Sequence, residues 1–338
     1  MREKVVLGLS GGVDSAVAAG LLSKEYEVYC VYLDIGLGGT GRADARAVAE
    51  GLGLPFEAVD IRAALEAEVC APFAADYLAG RTPLPCARCN PAVKFPALFA
   101  LAGRIGARYV STGHYARVEN GGLKKGMPAN DQSYMLARLT REQLQRVIFP
   151  LGDYEKAQVR ALARDFGIPV ADKPDSMEIC FIPDGDYAAF IRRYAGKEFP
   201  PGAFVGTQGQ VYGQHKGIIH YTVGQRKGLG LSFPQPMFVK ELDVENNQVV
   251  LSKAEELFSQ TVAARDVNLI SVESIPEPLR VKARVRYRQK EQPATVVQTG
   301  PDELRVVFDQ PQRAITPGQA LVLYDGDTVV GGGRIVRN

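Results

Sequence analysis

The chain has 338 residues, of which 46% are apolar, and its formal net charge is +2. This length exceeds what one hydrophobic core usually supports, and the composition is that of a globular chain, which excludes a disordered or fibrous protein. The apolar stretch near the amino terminus reaches Gly11 and Gly12 before it is long enough for a signal peptide or a membrane span, so we expect a cytoplasmic protein without a membrane partner.

Apolar runs of strand length alternate with stretches of helical period through the first half of the chain. We predict strands over residues 4–9, 27–33, 55–61 and 108–112, a helix directly after the first strand, and further helices over residues 43–52, 63–78 and 93–105. Such alternation is typical of a parallel sheet covered by helices. The sequence therefore predicts the α/β class, with a doubly wound parallel-sheet nucleotide domain.

The pattern changes after two more predicted helices, over residues 156–166 and 187–194. Pro200, Pro201 and Gly202 mark the change, and short strands separated by turn residues follow. We predict a catalytic domain over residues 1–198, a small central β-rich domain over 199–260 and a carboxyl-terminal β-barrel over 261–338.

A glycine-rich loop joins the first predicted strand to the first predicted helix. Backbone amides of such a loop and of the helix amino terminus converge on a concavity of phosphate size, and Asp14 could hold a magnesium ion that bridges phosphate oxygens. The alternative is a turn that merely joins strand to helix. The Gly-Lys-Ser/Thr ending of a Walker A motif is missing, which disfavours γ-phosphate transfer. The predicted nucleotide-binding residues are Gly8, Leu9, Ser10, Gly11, Gly12, Val13, Asp14 and Ser15, with Leu33 and Gly113 on the adenosine side.

The residues from Ser10 to Ser15 resemble the SGGxDS signature of pyrophosphatase-loop ATP enzymes, in which the loop holds the departing pyrophosphate while a carbonyl oxygen attacks the α-phosphate. The resemblance implies ATP as the nucleotide and a fold like that of adenine nucleotide alpha hydrolases. It does not select a substrate, because synthetases of small molecules and several tRNA-modifying enzymes share this loop.

Five cysteines without a signal sequence favour reduced thiols over a disulfide framework. Cys86 and Cys89 form a CxxC pair, and Cys180 lies far downstream. Asn90 and Pro91 are typical of an N-cap and a first helical residue, which would place Cys89 at the positive end of a helix dipole and lower its pKa.

Four interpretations of these thiols stay open: a persulfide relay, a [4Fe-4S] cluster held by Cys86, Cys89 and Cys180 with one iron left to take up sulfide, a zinc site that lacks a fourth ligand, and three unrelated buried cysteines. Cys30 and Cys70 lie among apolar residues and are predicted to be core residues. The three histidines lack a metal-ligand spacing, and we assign them no catalysis.

Basic residues alternate with apolar ones from position 280 to position 290. On a strand they would all lie on one face, where a nucleic-acid strand could follow them, although a charged outer strand protected from aggregation gives the same pattern. The basic residues in question are Arg280, Lys282, Arg284, Arg286, Arg288 and Lys290.

Several ordered motifs make the chain resemble tRNA-specific 2-thiouridylases of the MnmA type. They are RTPxP…CN…KF at residues 81–95, TGHY at 112–115, DQSY at 131–134, DSxxICFI at 175–182, GQRKGLG at 224–230, and RYRQ and TPGQ at 286–289 and 316–319. Two departures stand out: Cys86 replaces an acidic residue, and the segment after Asp34 is short.

This resemblance implies that ATP adenylates O2 of the wobble uridine of tRNA and that sulfur from a donor protein or sulfide then replaces it. Cys89 would be the nucleophile and Cys180 the persulfide carrier. A small-molecule ligase and a non-enzymatic RNA-binding sulfur carrier are the alternatives. The RNA contacts that the resemblance implies are Asn130, Asp131, Gln132, Arg286 and Tyr287, and the basic alternation adds Lys282 and Arg284.

Overall fold

A computed structural model describes residues 2–171, 173 and 178–337. Within these ranges, no helix combines the length and the apolar character that crossing a membrane requires. The strands are β1 (Lys4–Gly8), β2 (Glu27–Asp34), β3 (Phe56–Asp60), β4 (Tyr109–Thr112), β5 (Ala116–Glu119), β6 (Gly122–Lys125), β7 (Val147–Ile148), β8 (Gly202–Gly206), β9 (Val211–His215), β10 (Phe238–Asp243), β11 (Gln248–Ser252), β12 (Phe258–Leu269), β13 (Leu279–Arg284), β14 (Gln292–Gly300), β15 (Glu303–Arg313), β16 (Ala320–Asp325) and β17 (Thr328–Val336).

The α-helices are α1 (Val13–Leu22), α2 (Gly41–Gly51), α3 (Arg62–Leu65), α4 (Ala71–Leu78), α5 (Pro85–Cys89), α6 (Phe95–Ile105), α7 (Ser133–Leu136), α8 (Arg141–Leu144), α9 (Lys156–Asp165) and α10 (Tyr187–Ala195). Two π-helical turns, Glu66–Cys70 and Asn90–Lys94, join α3 to α4 and α5 to α6. Short 3₁₀ turns cover Ile218–His220 and Ala254–Leu257.

The amino-terminal domain is built on a five-stranded sheet in the order β3-β2-β1-β4-β7. Its strands are parallel, and β1 pairs with β2 on one side and β4 on the other. The central residues of β1 are fully buried because helices cover both faces of the sheet. The predicted doubly wound α/β domain is confirmed, and the carboxyl ends of β1, β2 and β4 lie along one edge of the sheet.

The helical segment that carries the CxxC pair differs from the prediction. Asn90 has αR backbone angles (φ −56°, ψ −61°) and lies inside a continuous helical path from α5 through the π turn into α6. The expectation that Asn90 is an N-cap is wrong. Cys89 is therefore the last residue of α5 and does not face the positive end of a helix dipole.

A second sheet, in the order β10-β11-β8-β9, forms the central module. The carboxyl-terminal strands β12-β15-β14-β13-β16-β17 form an antiparallel sheet that closes through pairing of β12 with β17, so the predicted barrel is confirmed. The β5–β6 hairpin of the amino-terminal domain adds to this sheet at β17. The predicted boundary between residues 260 and 261 falls within β12, and the domain bounds themselves stay predictions.

Candidate active site

The loop between β1 and α1 has the geometry of an anion-binding turn. Gly11 has φ +77°, and a side chain there would place its Cβ 2.4 Å from the carbonyl oxygen of Gly41. The backbone N–H of Ser10 donates to Ser15 Oγ at 3.1 Å, and the two serine hydroxyls lie 3.0 Å apart. Gly12 precedes α1 without a side-chain cap, so the first amides of the helix are left to bind an anion.

Two lysines that the sequence analysis did not identify lie beside this loop. Lys173 Nζ donates to Gly11 O at 3.2 Å and to Asp44 Oδ2 at 2.6 Å. Lys156 Nζ donates to Asp14 Oδ1 at 2.7 Å and to Oδ2 at 2.8 Å. Both lysines follow β7 in the chain, and no spacing relates them to the loop, so sequence pattern alone could not place them here.

The carboxylate of Asp14 does not fit the predicted role of a magnesium ligand in this arrangement. Tyr115 OH donates to Oδ1 at 2.6 Å, and Lys156 bonds both oxygens. A cation bound at Asp14 would have to displace the ammonium group of Lys156, and like charges disfavour holding both.

The other residues predicted to bind nucleotide divide into core and loop positions. Leu9 and Val13 are buried in the core beneath the loop, so only their backbone can serve a ligand. Leu33 is half-buried near the end of β2, and Gly8 lies at the end of β1. Gly113 packs directly on the loop, because a Cβ there would lie 2.7 Å from Ser15 N.

The three thiols predicted to act together lie near one another. Cys86 and Cys180 are exposed and Cys89 is half-buried. Although Cys180 as a residue is exposed, protein atoms crowd its sulfur closely enough that desolvation raises the pKa of the thiol to about 11, and the neighbouring thiols Cys86 and Cys89 raise it further. Burial likewise raises the pKa of Cys89, while Lys94 lowers it. The expected depression of the Cys89 pKa is therefore wrong, because burial outweighs the nearby cation.

Two adjacent residues after β4 link the phosphate loop to these thiols. Gly113 packs on the backbone of Ser15. The pKa of His114 lies well below its ordinary value because the ring is buried and because the ammonium group of Lys94 is near. Lys94 in turn acts on Cys89 and Cys180. The loop and the thiols therefore both lie near the carboxyl end of β4.

His114 is held in one orientation, since its Nδ1 lies 2.7 Å from Thr112 Oγ1 and its ring packs edge-on against Phe149. Burial and Lys94 both favour the neutral imidazole. A neutral imidazole in this position can donate or accept one hydrogen bond with a ligand. The sequence analysis did not predict this role for His114.

The thiols suit an iron–sulfur cluster in number and chemistry but not in arrangement. Among the residues that the structure describes, no group of three cysteine, histidine or acidic side chains is placed to hold a metal ion. Of the motif that contains Cys180, residues 175–177 lie outside the described residues. We therefore assign no chemical step to a cluster.

Cys30 is buried within the sheet and Cys70 within the cluster of apolar residues that Val93 and Phe181 also join. Burial raises the pKa of each thiol to about 12. Both thiols are core residues, as predicted.

Of the predicted RNA contacts, Asp131 and Gln132 serve the protein interior. Asp131 is buried, and its Oδ1 accepts from the backbone N–H of Gly126 at 3.2 Å and of Ser133 at 3.0 Å. Gln132 Oε1 accepts from Tyr115 N at 3.1 Å. These two side chains therefore stabilise the loop conformation. The side-chain oxygen of the preceding residue, Asn130, accepts a hydrogen bond from the backbone N–H of Lys156.

The predicted basic stripe is wrong at Arg284, the last residue of β13, and at Arg286, which lies beyond the strand. Arg284 is mostly buried and pairs with Asp131 at 3.4 Å and Glu291 at 3.8 Å. Arg286 Nη2 donates to Val223 O at 2.8 Å, to Ala314 O at 2.9 Å and to Thr316 Oγ1. Both side chains therefore serve contacts within the protein.

Tyr287 packs beside Tyr134 and lies within electrostatic range of Cys86. Burial raises its pKa, and Asp131 and Cys86 are among the groups close enough to raise it further. Exposed basic residues flank it on two loops that Arg286 ties together through Val223 O. They are Arg226 and Lys227 on one loop and Arg288 and Lys290 on the other, with Lys282 exposed on β13.

Comparison with known families divides the chain into three matches. Residues 3–184 match the family described as tRNA methyl transferase HUP domain. Residues 188–253 match the tRNA methyl transferase PRC-barrel domain, and residues 259–335 match the aminomethyltransferase beta-barrel domain.

Full-length relatives are also found. The tRNA-specific 2-thiouridylase MnmA of Clostridioides difficile (strain 630) is 45% identical over 358 residues, covering 100% of this chain and 99% of the relative. The protein of the same description from Acetivibrio thermocellus is 46% identical over 356 residues, covering 99% of each chain.

Solved structures give more distant matches. The U34-tRNA thiolase NcsA from Methanococcus maripaludis with its [4Fe-4S] cluster matches with a TM-score of 0.37 and 19% identity, covering 57% of this chain and 66% of that one. The NAD⁺ synthetase from Burkholderia pseudomallei matches with a TM-score of 0.32 and 21% identity, covering 56% and 66%.

Proposed function

Since this chain belongs to the family of tRNA-specific 2-thiouridylases, we propose that the phosphate loop, Lys94 and the thiols Cys89 and Cys180 form one active site for replacing O2 of the wobble uridine with sulfur. The chain is a tRNA sulfurtransferase of the pyrophosphatase-loop type that uses ATP. A reaction on tRNA would take place in the cytoplasm, as the composition predicts.

ATP activates the uridine because a carbonyl oxygen is a poor leaving group whereas AMP leaves readily. The uridine O2 attacks the α-phosphorus, a bond forms between them, and pyrophosphate departs. The backbone amides from Gly11 to Ser15 would bind the departing pyrophosphate, and Lys173, which already contacts Gly11 O, would balance its charge. Magnesium as a companion of the ATP phosphates stays a prediction, since Asp14 is engaged by Lys156.

Sulfur transfer follows at C2 of the activated base. We propose that Cys180 carries a persulfide whose outer sulfur attacks C2 and that AMP leaves with the former O2. Attack of the Cys89 thiolate on the inner sulfur then breaks the sulfur–sulfur bond of the persulfide, leaves the outer sulfur on the base and forms a Cys89–Cys180 disulfide. An external thiol must reduce that disulfide before the next turnover.

Lys94 suits this sequence because its ammonium group lowers the pKa of both thiols that must become nucleophiles. A cation beside a buried thiol favours the thiolate, which is the reactive form. We assign Lys94 the role of stabilising the thiolates.

The RNA would reach the site over the loops that flank Tyr287. A wobble base must leave the anticodon stack to expose C2, and an aromatic ring beside the thiols can stack on it. The exposed side chains of Arg226, Lys227, Arg288 and Lys290 would bind backbone phosphates. The sulfur donor, a protein or sulfide, stays a prediction.

The observation that best supports this function is that Gly113 packs on Ser15 while the next residue, His114, lies within electrostatic range of Lys94, which acts on both Cys89 and Cys180. The test incubates anaerobic, reduced protein with ATP, tRNA, an external thiol and a persulfide donor that transfers sulfane sulfur, because sulfide alone cannot form the Cys180 persulfide without an oxidant, and it measures AMP together with 2-thiouridine. We expect one AMP per thiolated uridine in the wild type. The Cys180→Ala variant should lose 2-thiouridine while binding ATP normally, and Cys30→Ala serves as the matched thiol control.

Two results would contradict the proposal. Thiolation by Cys180→Ala at the wild-type rate would exclude Cys180 as the sulfur carrier. Iron and acid-labile sulfide that co-purify with the protein and are required for activity would replace the relay with a cluster.

A further inference from the structure

A cavity of about 210 Å³ lies between the helices of the amino-terminal domain and the barrel. Its walls include Phe73, Pro85 and Arg88 from one side and Arg138 and Arg334 from the other. Cys86 and Cys89 do not line it, although they belong to the same short helix as Pro85 and Arg88. The cavity therefore adjoins the thiol site across the width of α5.

The charges that line the cavity do not cancel. Four arginines face it, and three of them have carboxylate partners. Asp76 pairs with Arg81 at 2.6 Å and with Arg334 at 3.7 Å, and Asp266 pairs with Arg334 at 2.7 Å. Glu68, outside the lining, pairs with Arg88 at 3.5 Å.

Arg138 is the one of these four arginines without a carboxylate at ion-pair distance among the described residues, and Asp266 and Asp302 act on it only at longer range. Among the residues that the structure describes, its guanidinium group makes no hydrogen bond or ion pair. Burial lowers the pKa of Arg138, and the nearby Arg88 and Arg334 act in the same direction, with Asp266 as the largest opposing group. Arg138 is half-buried, and a guanidinium group with reduced access to water and no carboxylate in contact is stabilised by an anion in the space before it.

We propose that this cavity binds one backbone phosphate of the tRNA, with Arg138 as its principal ligand. The proposal rests on the proposed function, which supplies a polyanion next to α5. The planar fork of a guanidinium group matches two phosphate oxygens, and it does so best where water is excluded. An α-helix is roughly 10 Å across, so a strand whose target base lies at Cys86 passes within reach of the cavity on the other side of α5.

The test uses a short anticodon stem-loop RNA in which single phosphates of the loop are replaced, one at a time, by neutral methylphosphonates. With wild-type protein, we expect one position near the target uridine to lower affinity by roughly 10-fold or more, the value of a charge-assisted hydrogen bond. The variants are Arg138→Ala and Arg138→Lys, which keeps the charge without the fork. Arg108→Ala, an exposed arginine at the amino end of β4, is the control.

Unmodified RNA should bind to the Arg138→Ala protein as weakly as the RNA with the affinity-lowering methylphosphonate binds to the wild type. In the Arg138→Ala protein, introducing that same methylphosphonate should not lower the affinity further. The slope of log Kd against log salt should fall by about 0.7 for a single strand. Arg138→Lys should retain part of the affinity for RNA and should have the circular dichroism spectrum and melting temperature of the wild type. This variant therefore distinguishes the loss of a phosphate contact from unfolding of the protein. Because binding is measured without turnover, a protein that fails to thiolate can still pass this test.

Three outcomes would contradict an RNA contact at Arg138. Unchanged RNA affinity in a folded Arg138→Ala protein would overturn the proposal. If titration with inorganic phosphate shows binding that Arg138→Ala removes, while RNA affinity is unchanged, the cavity is a free-anion site. If the variant instead loses affinity only for the sulfur-donor protein, the ligand of Arg138 is a carboxylate of that protein and the phosphate assignment is wrong.

Discussion

The packing of Gly113 against the phosphate loop gives the sharpest test of how the site is built. A Cβ at this position would lie 2.7 Å from Ser15 N, 2.9 Å from Asp14 C and 3.0 Å from Ser15 Cα. All three atoms belong to the backbone of the loop, so no side-chain rotation can relieve the contact. In the Gly113→Ala variant either β4 or the loop must move by several tenths of an ångström.

Overpacking of this kind costs about 1–3 kcal/mol. If the strain falls on the loop conformation that holds phosphate, ATP affinity should fall by roughly 5- to 150-fold. If the strain is shared with the sheet, the melting temperature should fall as well, since β4 pairs with β1 directly beneath the loop.

Isothermal titration with ATP, together with thermal unfolding, measures both effects. Gly103→Ala is the matched control, because nothing lies within 4 Å of a Cβ at that position in α6. Alanine there should leave ATP affinity unchanged and stabilise the helix by about 1 kcal/mol. Wild-type ATP affinity in the Gly113→Ala protein would refute the assignment of this contact to the nucleotide site.

Four single substitutions test individual side chains of the site and its surroundings. Lys94→Ala should slow the alkylation of Cys89 by iodoacetamide at pH 8, because the cation that lowers the Cys89 pKa is lost, whereas Lys94→Arg should not; an equal rate in both would exclude the thiolate role. Arg286→Ala should lower the free energy of unfolding in urea by about 3 kcal/mol, because it removes a charged donor from buried acceptors; full stability would mean that these contacts are dispensable. Lys282→Ala should leave stability unchanged and reduce the slope of log Kd against log salt for tRNA binding by the value of about one phosphate contact. Titrations at several salt concentrations measure this slope, and an unchanged slope would contradict the prediction. Cys86→Asp should retain thiolation if Cys89 and its partner thiol form a relay, and loss of bound iron together with activity would point to a cluster instead.

The phosphate loop and the sheet could be predicted from sequence because each depends on neighbours in the chain. Gly11 must adopt positive φ, and the alternation of apolar strands with helices determines a parallel sheet whatever the later domains do. Lys156 and Lys173 could not be found this way, since their contacts with Asp14 and Gly11 cross more than a hundred residues.

The helix that carries Cys89 shows why a local signal can fail. Asn90 followed by Pro91 is typical of a helix start, yet Asn90 Nδ2 donates to Met135 O at 3.1 Å. That tertiary contact holds the side chain away from the backbone that an N-cap would serve, and a π turn absorbs Pro91 within the helical path.

The basic stripe failed for a different reason, because alternation predicts a strand without saying where the strand ends. Arg284 closes β13, and the next residues enter a turn in which Arg286 bonds backbone carbonyl oxygens of two other segments. Charge alternation cannot distinguish a guanidinium group that binds phosphate from one that binds carbonyls, since both use the same donors. Of the stripe, Arg280 and Lys282 on β13 keep the exposed positions that the pattern predicts, and Arg288 and Lys290 are exposed beyond the strand.

Burial of the thiols constrains the order of events in the proposed reaction. With a pKa of about 11, Cys180 is a thiolate in roughly one molecule in 10⁴ at pH 7. Lys94 is the cation that lowers the pKa of both Cys180 and Cys89, whereas a bound polyanion would raise both. Loading of sulfur onto Cys180 is therefore favoured before tRNA arrives, because the RNA phosphates would suppress the thiolate that has to accept the sulfur.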